Sequence, residues 1–553
     1  MSNVGVRFDA LEEPMSEARS RSAAAMGELF LPLYRLLSGG GDPRLTVDPA
    51  SGVNAYGCRP FPCPDMLSFA SSTATSISQR AYDRAAEARQ RLMRSAIAVG
   101  IDAAFDARVE AMRDELKAHL GLSRTTVDVV FSPSGTDSQL HALFLARVLL
   151  GPELTTVIVA ADQTGSGTPY TARGQHFSAA TANGASVRKG EPIPGLAHSA
   201  SSVALPLFDA AGVFRPQIES DLQVFSAVEK SIADGTKVVL QIMDSSKLGW
   251  RAPSDECVDE ISIRWPGQVQ IVVDACQLRL GRARLQQYLD RGYLVIVTGS
   301  KFFTGPPFSG ALLVPAAFSK ALDGVAEVAP GFCEYASQSD WPKSWQNLRS
   351  RFPFRTNFGQ WLRWEAALEE IRAYYSVPDA FRLMALTTFG SGVQRIIASS
   401  PSLRLLRPQQ RFEGKSPDEE FCQPTIFPFT IQHDGRTRSL DECRKIYRAL
   451  SGNSETAGSA TEQGSDPEVA ARACLVGQPV ALGHGEGHPG AALRISASAR
   501  LVSETWSPSQ DTAGANLRRE LGGNGRAWVQ STHSLEAFLA AFFRLCDRAG
   551  VNR

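Results

Sequence analysis

Between residues 269 and 277 the chain runs Val269-Gln270-Ile271-Val272-Val273-Asp274-Ala275-Cys276-Gln277. Apolar, mostly β-branched residues follow one another almost without polar alternation, which suits a strand covered on both faces, as in a parallel sheet. In an open α/β sheet the ends of such strands deliver side chains into the ligand crevice. The first side chain delivered here is a carboxylate. Two other stretches are built the same way. Val127-Asp128-Val129-Val130-Phe131-Ser132 leads through Pro133-Ser134 to Gly135-Thr136, where an amphipathic helical pattern opens. The free N–H groups and positive dipole end of such a helix make an anion site. Tyr293 to Val297 leads into Thr298-Gly299-Ser300-Lys301, followed by Phe302-Phe303-Thr304-Gly305-Pro306-Pro307. That lysine sits on a strand-to-loop corner, with small hydroxyls on one side and glycine and prolines on the other, so the backbone approaches a ligand closely and the loop is stiff. Each stretch has an ordinary alternative: an aspartate capping the next helix, a plain helix start, a surface lysine. All three in this order, each ligand group behind an apolar strand, point to one crevice in an α/β protein.

The chain's 553 residues are too many for one core and suggest two or three units. Lys+Arg and Asp+Glu balance at 57 each, so net charge implies no basic face for nucleic acid or acidic lipid. No apolar run approaches the length of a membrane span, and the first residues lack a basic region followed by an apolar one. Nine scattered cysteines suit free thiols in a reducing cytosol, so a cytoplasmic location is expected. Cys58 and Cys63 form half of a metal-site spacing without a second pair. His484 and His488 around Glu486 sit among glycines and a proline that favour a flexible loop. No metal is expected.

The three stretches resemble the class V aminotransferase and cysteine desulfurase group of fold-type-I enzymes dependent on pyridoxal 5'-phosphate (PLP). That group carries a Ser/Thr-Gly-Thr turn, an Asp-x-x-Gln strand end and a Ser-Gly-His-Lys loop. The match runs, with gaps, from about Leu67 to about Glu504. It implies an α/β fold: a large domain with a mostly parallel sheet flanked by helices, and a smaller C-terminal α+β domain. The corresponding boundaries are 1–66 for an N-terminal extension with a covering loop, 67–378 for the PLP-binding domain and 379–553 for the small domain, with a mobile insertion at about 451–466. The resemblance implies PLP as cofactor, Lys301 as its Schiff-base lysine and general acid/base, Asp274 as partner of the pyridinium nitrogen, and Gln277 as donor to the phenolate oxygen. Ser134, Gly135, Thr136, Thr298 and Ser300 would hold the phosphate.

Several positions depart from the group's pattern. Ser300 stands where desulfurases have histidine. Gln163 or Thr164 stands where they stack a histidine on the ring, beside a Gly165-Ser166-Gly167 run that is either a second anion nest or a turn. Ser246 replaces an asparagine that reaches cofactor and substrate. Lys247 competes with Lys301 but lacks the glycine-proline loop. Arg355-Thr356-Asn357-Phe358-Gly359 resembles a Gly-Thr-x-Asn loop that reaches the neighbouring subunit's phosphate, which would place Thr356 in an active site shared across a homodimer. Arg494, in an Arg-x-Ser sequence, would bind the substrate α-carboxylate through a bidentate pair. The desulfurase cysteine just ahead of Gln478-Pro479 is missing, and Cys474 lies two residues early. Tyr56 and Arg59, in a turn-rich loop, would touch substrate or only pack. The resemblance implies action on a small-molecule amino acid, transamination first and a carbon–sulfur or carbon–carbon lyase, desulfurase-like activity included, second. A non-catalytic scaffold of the same fold and a phosphate-binding enzyme without PLP are the rivals.

Overall fold

A computed structural model describes residues 22–122, 127–196, 200–406, 419–451, 474–483 and 490–506. His484, Glu486, His488 and nearly all of the expected 451–466 insertion lie outside them. Seven strands form the larger sheet: β2 (Val127–Ser132), β3 (Leu154–Val159), β4 (Ala200–Leu205), β5 (Lys237–Met243), β6 (Val269–Ala275), β7 (Leu294–Thr298) and β8 (Gly310–Pro315). Their spatial order is β2-β8-β7-β6-β5-β3-β4. Only β8 runs against the rest, pairing antiparallel with β2 and β7, while β7, β6, β5, β3 and β4 pair in parallel.

Burial explains the missing polar alternation. Every residue of β3, β7 and β8 is buried. Successive side chains feed two different cores: Val129, Phe131, Val295 and Val297 join one, while Val130, Leu294 and Ile296 join the other. Helices cover both faces. Helix α4 (Gly135–Leu150) contributes Leu140, Leu143 and Phe144 to the second core. Helices α5 (Gln217–Ala233) and α6 (Asp255–Arg264) contribute Val224, Val228, Cys257 and Ile261 to the first.

The sequence from Gln79 to about Leu120 has one helical period throughout, yet it folds as two helices, α2 (Gln79–Val99) and α3 (Ile101–His119), broken at Gly100, whose φ of +84° suits glycine. Both pack on α7 (Phe358–Tyr375), where two buried carboxylates sit in nests of arginine. Glu365 accepts from Arg84 at 3.0 Å and Arg108 at 2.5 Å. Glu370 pairs with Arg80 and accepts from the Ser78 hydroxyl.

A smaller sheet has the order β1-β12-β13-β10-β11, with β9 beside β10: β1 is Leu67–Phe69, β9 Leu403–Leu405, β10 Ile426–His433, β11 Arg436–Thr437, β12 Cys474–Ala481 and β13 Ala491–Ser496. Helices α8 (Asp379–Ser399) and α9 (Leu440–Leu450) pack against it. A mostly parallel sheet with helices on both faces plus a smaller C-terminal α+β unit is the architecture the resemblance implies. One assignment differs. Leu67–Phe69, expected to open the large domain, pairs in parallel with Cys474–Val476 and belongs to the smaller sheet. A three-residue strand supplies too few backbone bonds to stand alone, so distant pairing decides its place.

Candidate active site

The three sequence stretches meet at Gly135. A Cβ placed there would fall 2.7 Å from Cys276 Sγ and 3.2 Å from Thr298 Cγ2, so only glycine lets the first turn of α4 close over the ends of β6 and β7. Asp274 pairs in register with Ile296 of β7, is 5% exposed, and accepts from the Cys276 amide at 3.1 Å. Lys301 lies half-buried three residues past the end of β7.

Not every expected phosphate donor is free for that role. The Ser134 hydroxyl caps α4, accepting from the Asp137 amide at 3.3 Å and donating to the Asp137 carboxyl at 2.5 Å. Thr298 donates to the Cys276 carbonyl at 2.7 Å, lacing β7 to β6. These two shape the cradle from behind. Thr136, by contrast, turns its hydroxyl to Arg44 Nη1 at 3.4 Å, and Ser300 is buried beside the lysine. Burial and the neighbouring Asp42 carboxylate push Asp137 up to about 7.

Gln163 is 1% exposed, and neither its Oε1 nor its Nε2 has a hydrogen-bond partner among the described residues. It follows Ala160, a non-glycine residue at φ +57° at the end of β3. A buried amide with both ends unsatisfied costs free energy unless a ligand completes it. Thr164, its rival in the sequence, spends its hydroxyl on the Ala161 carbonyl. Thr168 Oγ1 is likewise buried and unpartnered. Buried donors without partners, a helix N-terminus, and a strand-end aspartate and lysine together fit an anionic, ring-bearing group.

Other expectations are corrected. Ser246 does not reach outward: its hydroxyl accepts from the Leu248 and Trp250 amides at 3.2 and 3.0 Å, closing its own turn. Gln277 donates to the Ser72 carbonyl at 3.0 Å and accepts from Arg279, so one amide end is already tied to the N-terminal segment. Arg494 is 2% exposed and pairs with no carboxylate among the described residues; burial pushes it down to about 10. Its fork is occupied by the carbonyls of Ser72, Lys247 and Gln478 and the Thr73 hydroxyl, at 2.6 to 3.4 Å, while Nε has no partner. It therefore presents an uncompensated charge and not the open bidentate fork expected. Lys247 joins this cluster; burial, with the Arg494 and Lys301 charges, pushes it down to about 8 against the pull of Asp162 and Asp274.

Thr356 is half-buried, and its loop is engaged with its own chain: Asn357 donates to the Gly40 carbonyl at 3.2 Å and Arg355 to that of Cys333 at 2.9 Å. Cys474 begins β12 in the core, where burial pushes its thiol far up, the opposite of a nucleophile. Tyr56 lies 6.4 Å from the Phe308 ring, and exposed Arg59 packs over Phe61. Among the described residues no helix is long and apolar enough to cross a membrane, and no cluster of three or more His, Cys, Asp or Glu could hold a metal. A cavity of about 550 Å³ opens elsewhere, walled by Phe69, Ile77, Phe389 and Leu501, and meets the lysine loop only through Thr304. Asp274, Gly135 and Gln163 do not line it, which sets it apart from the candidate site.

Arg44 is the residue that sequence reasoning missed. Its signal was faint: a Gly39-Gly40-Gly41 break followed by Asp42-Pro43-Arg44, a turn that Asp42 caps by accepting from the Arg44 amide at 3.0 Å.

No protein-family model and no curated protein matches the chain. Solved structures similar to it include a NifS-like protein (13% identity, TM-score 0.47, covering 79% of this chain and 96% of that one). A NifS-like protein from Rickettsia africae ESF-5 shows 11% identity, TM-score 0.48 and coverage of 87% and 99%. Oryza sativa TDC, solved with PLP and tryptamine, shows 12%, 0.46, and 93% and 100%.

Proposed function

We propose that this chain is a PLP-dependent enzyme acting on an amino acid or a similar amine-bearing carboxylate, most simply as an aminotransferase. The observation that carries the reading is the closure of the Ser134-Gly135-Thr136 turn onto the Asp274 and Lys301 strand ends, with the orphaned Gln163 amide nearby. When bound, PLP supplies an electron sink that lets a bond at the substrate α-carbon break heterolytically. The chain supplies everything else. Lys301 is its covalent anchor and the base that takes and returns the α-proton. Asp274 holds a proton on a ring nitrogen. The Gly135 and Thr136 amides bind phosphate, and Gln163 covers the ring. Arg494 draws the substrate carboxylate by its unneutralised charge. Transamination leads because it asks for no group beyond these.

A lyase is the second reading, favoured by Lys247. An amine pushed down to about 8 beside Lys301 gives a second group able to move a proton near neutral pH, which a departing β- or γ-substituent needs. A desulfurase-like route through Cys474 is disfavoured by that thiol's burial. A homodimer with Thr356 near the partner's site remains part of the proposal, and light scattering of the purified chain at twice the monomer mass is the expected result.

The test is an absorbance spectrum of the purified chain with PLP, before and after borohydride, beside Lys301→Ala. A visible band fixed by reduction in the wild type and missing in the variant is expected. No band after adding PLP would overturn the assignment.

A further inference from the structure

The N-terminal segment ahead of the first strand is latched onto the site. Arg363, fully buried on α7, donates to the carbonyls of Leu37, Gly39 and Gly40 and to that of Phe308. Gly40 sits at φ +62°, where a Cβ would run into Asn357 Oδ1. The latch delivers Asp42 and Arg44. Asp42, 3% exposed, accepts from Arg44 Nε and Nη2. The guanidinium lies 5.1 Å from the Phe308 ring centroid and 5.8 Å from that of Phe177. Its remaining edge presents Nη1 to Thr136 Oγ1 at 3.4 Å.

That edge faces the start of α4, a helix of 16 residues. The Asp137 amide bonds Ser134 Oγ and that of Ser138 the Ser134 carbonyl, which leaves the Gly135 and Thr136 amides without acceptors among the described residues. The position a Cβ would take on Gly165 is 3.7 Å from both Thr136 Oγ1 and Thr168 Oγ1. The Thr168 hydroxyl, 0% exposed and without a partner among the described residues, therefore lies beside the same corner as that of Thr136. Two amides, two hydroxyls and a guanidinium edge surround this corner, and no carboxylate among the described residues accepts from Arg44 Nη1.

We propose that Arg44, carried in by the N-terminal segment, and Thr168 complete a phosphate-monoester cradle at the N-terminus of α4. This rests on the PLP reading and assigns the N-terminal segment a part in holding the cofactor. Asp42 neutralises the guanidinium, so the cradle binds through converging donors and the helix dipole, not through excess charge. Burial pushes the Asp137 carboxyl up to about 7, so its charge beside the cradle is reduced relative to an ordinary carboxylate.

The test uses chain stripped of cofactor and compares PLP with pyridoxal, which lacks the phosphate. Arg44→Gln should lose tenfold to a hundredfold in PLP affinity, read from the visible band, with pyridoxal unchanged; Thr168→Val should lose about tenfold, and Arg44→Lys should recover part of the loss. Equal weakening of PLP and pyridoxal, or of neither, would overturn the proposal, and unchanged thermal melting excludes misfolding. Inorganic phosphate, titrated calorimetrically, reads the cradle without Lys301: wild type should bind it and Arg44→Gln should not. A wild type that binds phosphate but forms no band with either aldehyde would refute the PLP reading and leave the cradle standing; one that forms the band but ignores phosphate, with Arg44→Gln unchanged, would do the reverse.

Discussion

Asp137 shows how a single residue carries the cost of the site. Its carboxyl is pushed up to about 7 in the folded chain from an ordinary 3.8. Between those values the native state keeps a proton that the unfolded state has released, so stability falls as pH rises from about 4 to 7. Asp137→Asn keeps an acceptor for the Ser134 hydroxyl and removes the titration. Its advantage over wild type in urea should therefore grow with pH and reach on the order of 2–4 kcal/mol near neutrality. Urea midpoints at pH 4.5, 5.5 and 7 read this directly; a gap that stays flat across the series would contradict it. At this scale the sequence was half legible. Lys301, Asp274 and Gly135 stood out because apolar strands precede them, whereas Arg44 and Thr168 lie in single helical turns, Pro43–Leu45 and Thr168–Thr171, too short to show a period. Ser246 and Thr298 were expected to face the cofactor, but their hydroxyls are taken by neighbouring backbone groups that no local pattern reveals.

At the level of elements, α7 is the brace. Glu365 sits at 0% exposure with two arginines from two other helices, and Arg84 and Arg108 are themselves only about a quarter exposed. Glu365→Ala would leave both guanidinium groups without that partner. The expected loss is about 2–4 kcal/mol, somewhat below a fully buried pair because Glu115 still contacts both arginines. Thermal and urea unfolding should show it, with Glu365→Gln intermediate; a loss below 1 kcal/mol would mean the pair is replaceable by water. The strands that carry the site were readable in advance, since their apolar runs are strong: Val269–Ala275 falls where its pattern put it. The break at Gly100 was not, because a lone glycine inside a helical period is usually tolerated.

For the whole molecule, β1 is the telling piece. It pairs with β12, so residues near the start of the described chain are built into the unit formed by its end. Removal of everything before residue 70 would strip β1 from the edge of the smaller sheet, discard Arg44 and take from Arg363 the carbonyls of Leu37, Gly39 and Gly40, leaving that of Phe308. The expected product aggregates through the bared β12 edge, measured by light scattering. A monodisperse truncated chain would show that the extension is dispensable. Sequence patterning conveyed the two-sheet plan but not this interlock, since period and composition report local geometry and say nothing of which distant strand completes a sheet.

The antiparallel strand β8 has a consequence for how the molecule comes into being. Among the described strands β2 touches only β8, and the two are separated in the chain by five others. On a ribosome Val127–Ser132 has no pairing partner until Gly310–Pro315 emerges, roughly ten to forty seconds later at ordinary elongation rates. The Ser134-Gly135-Thr136 turn that β2 carries is thus unanchored throughout that interval, and β1 waits longer still for β12. The nascent chain, with a bare strand awaiting its partner, is the form most prone to aggregate.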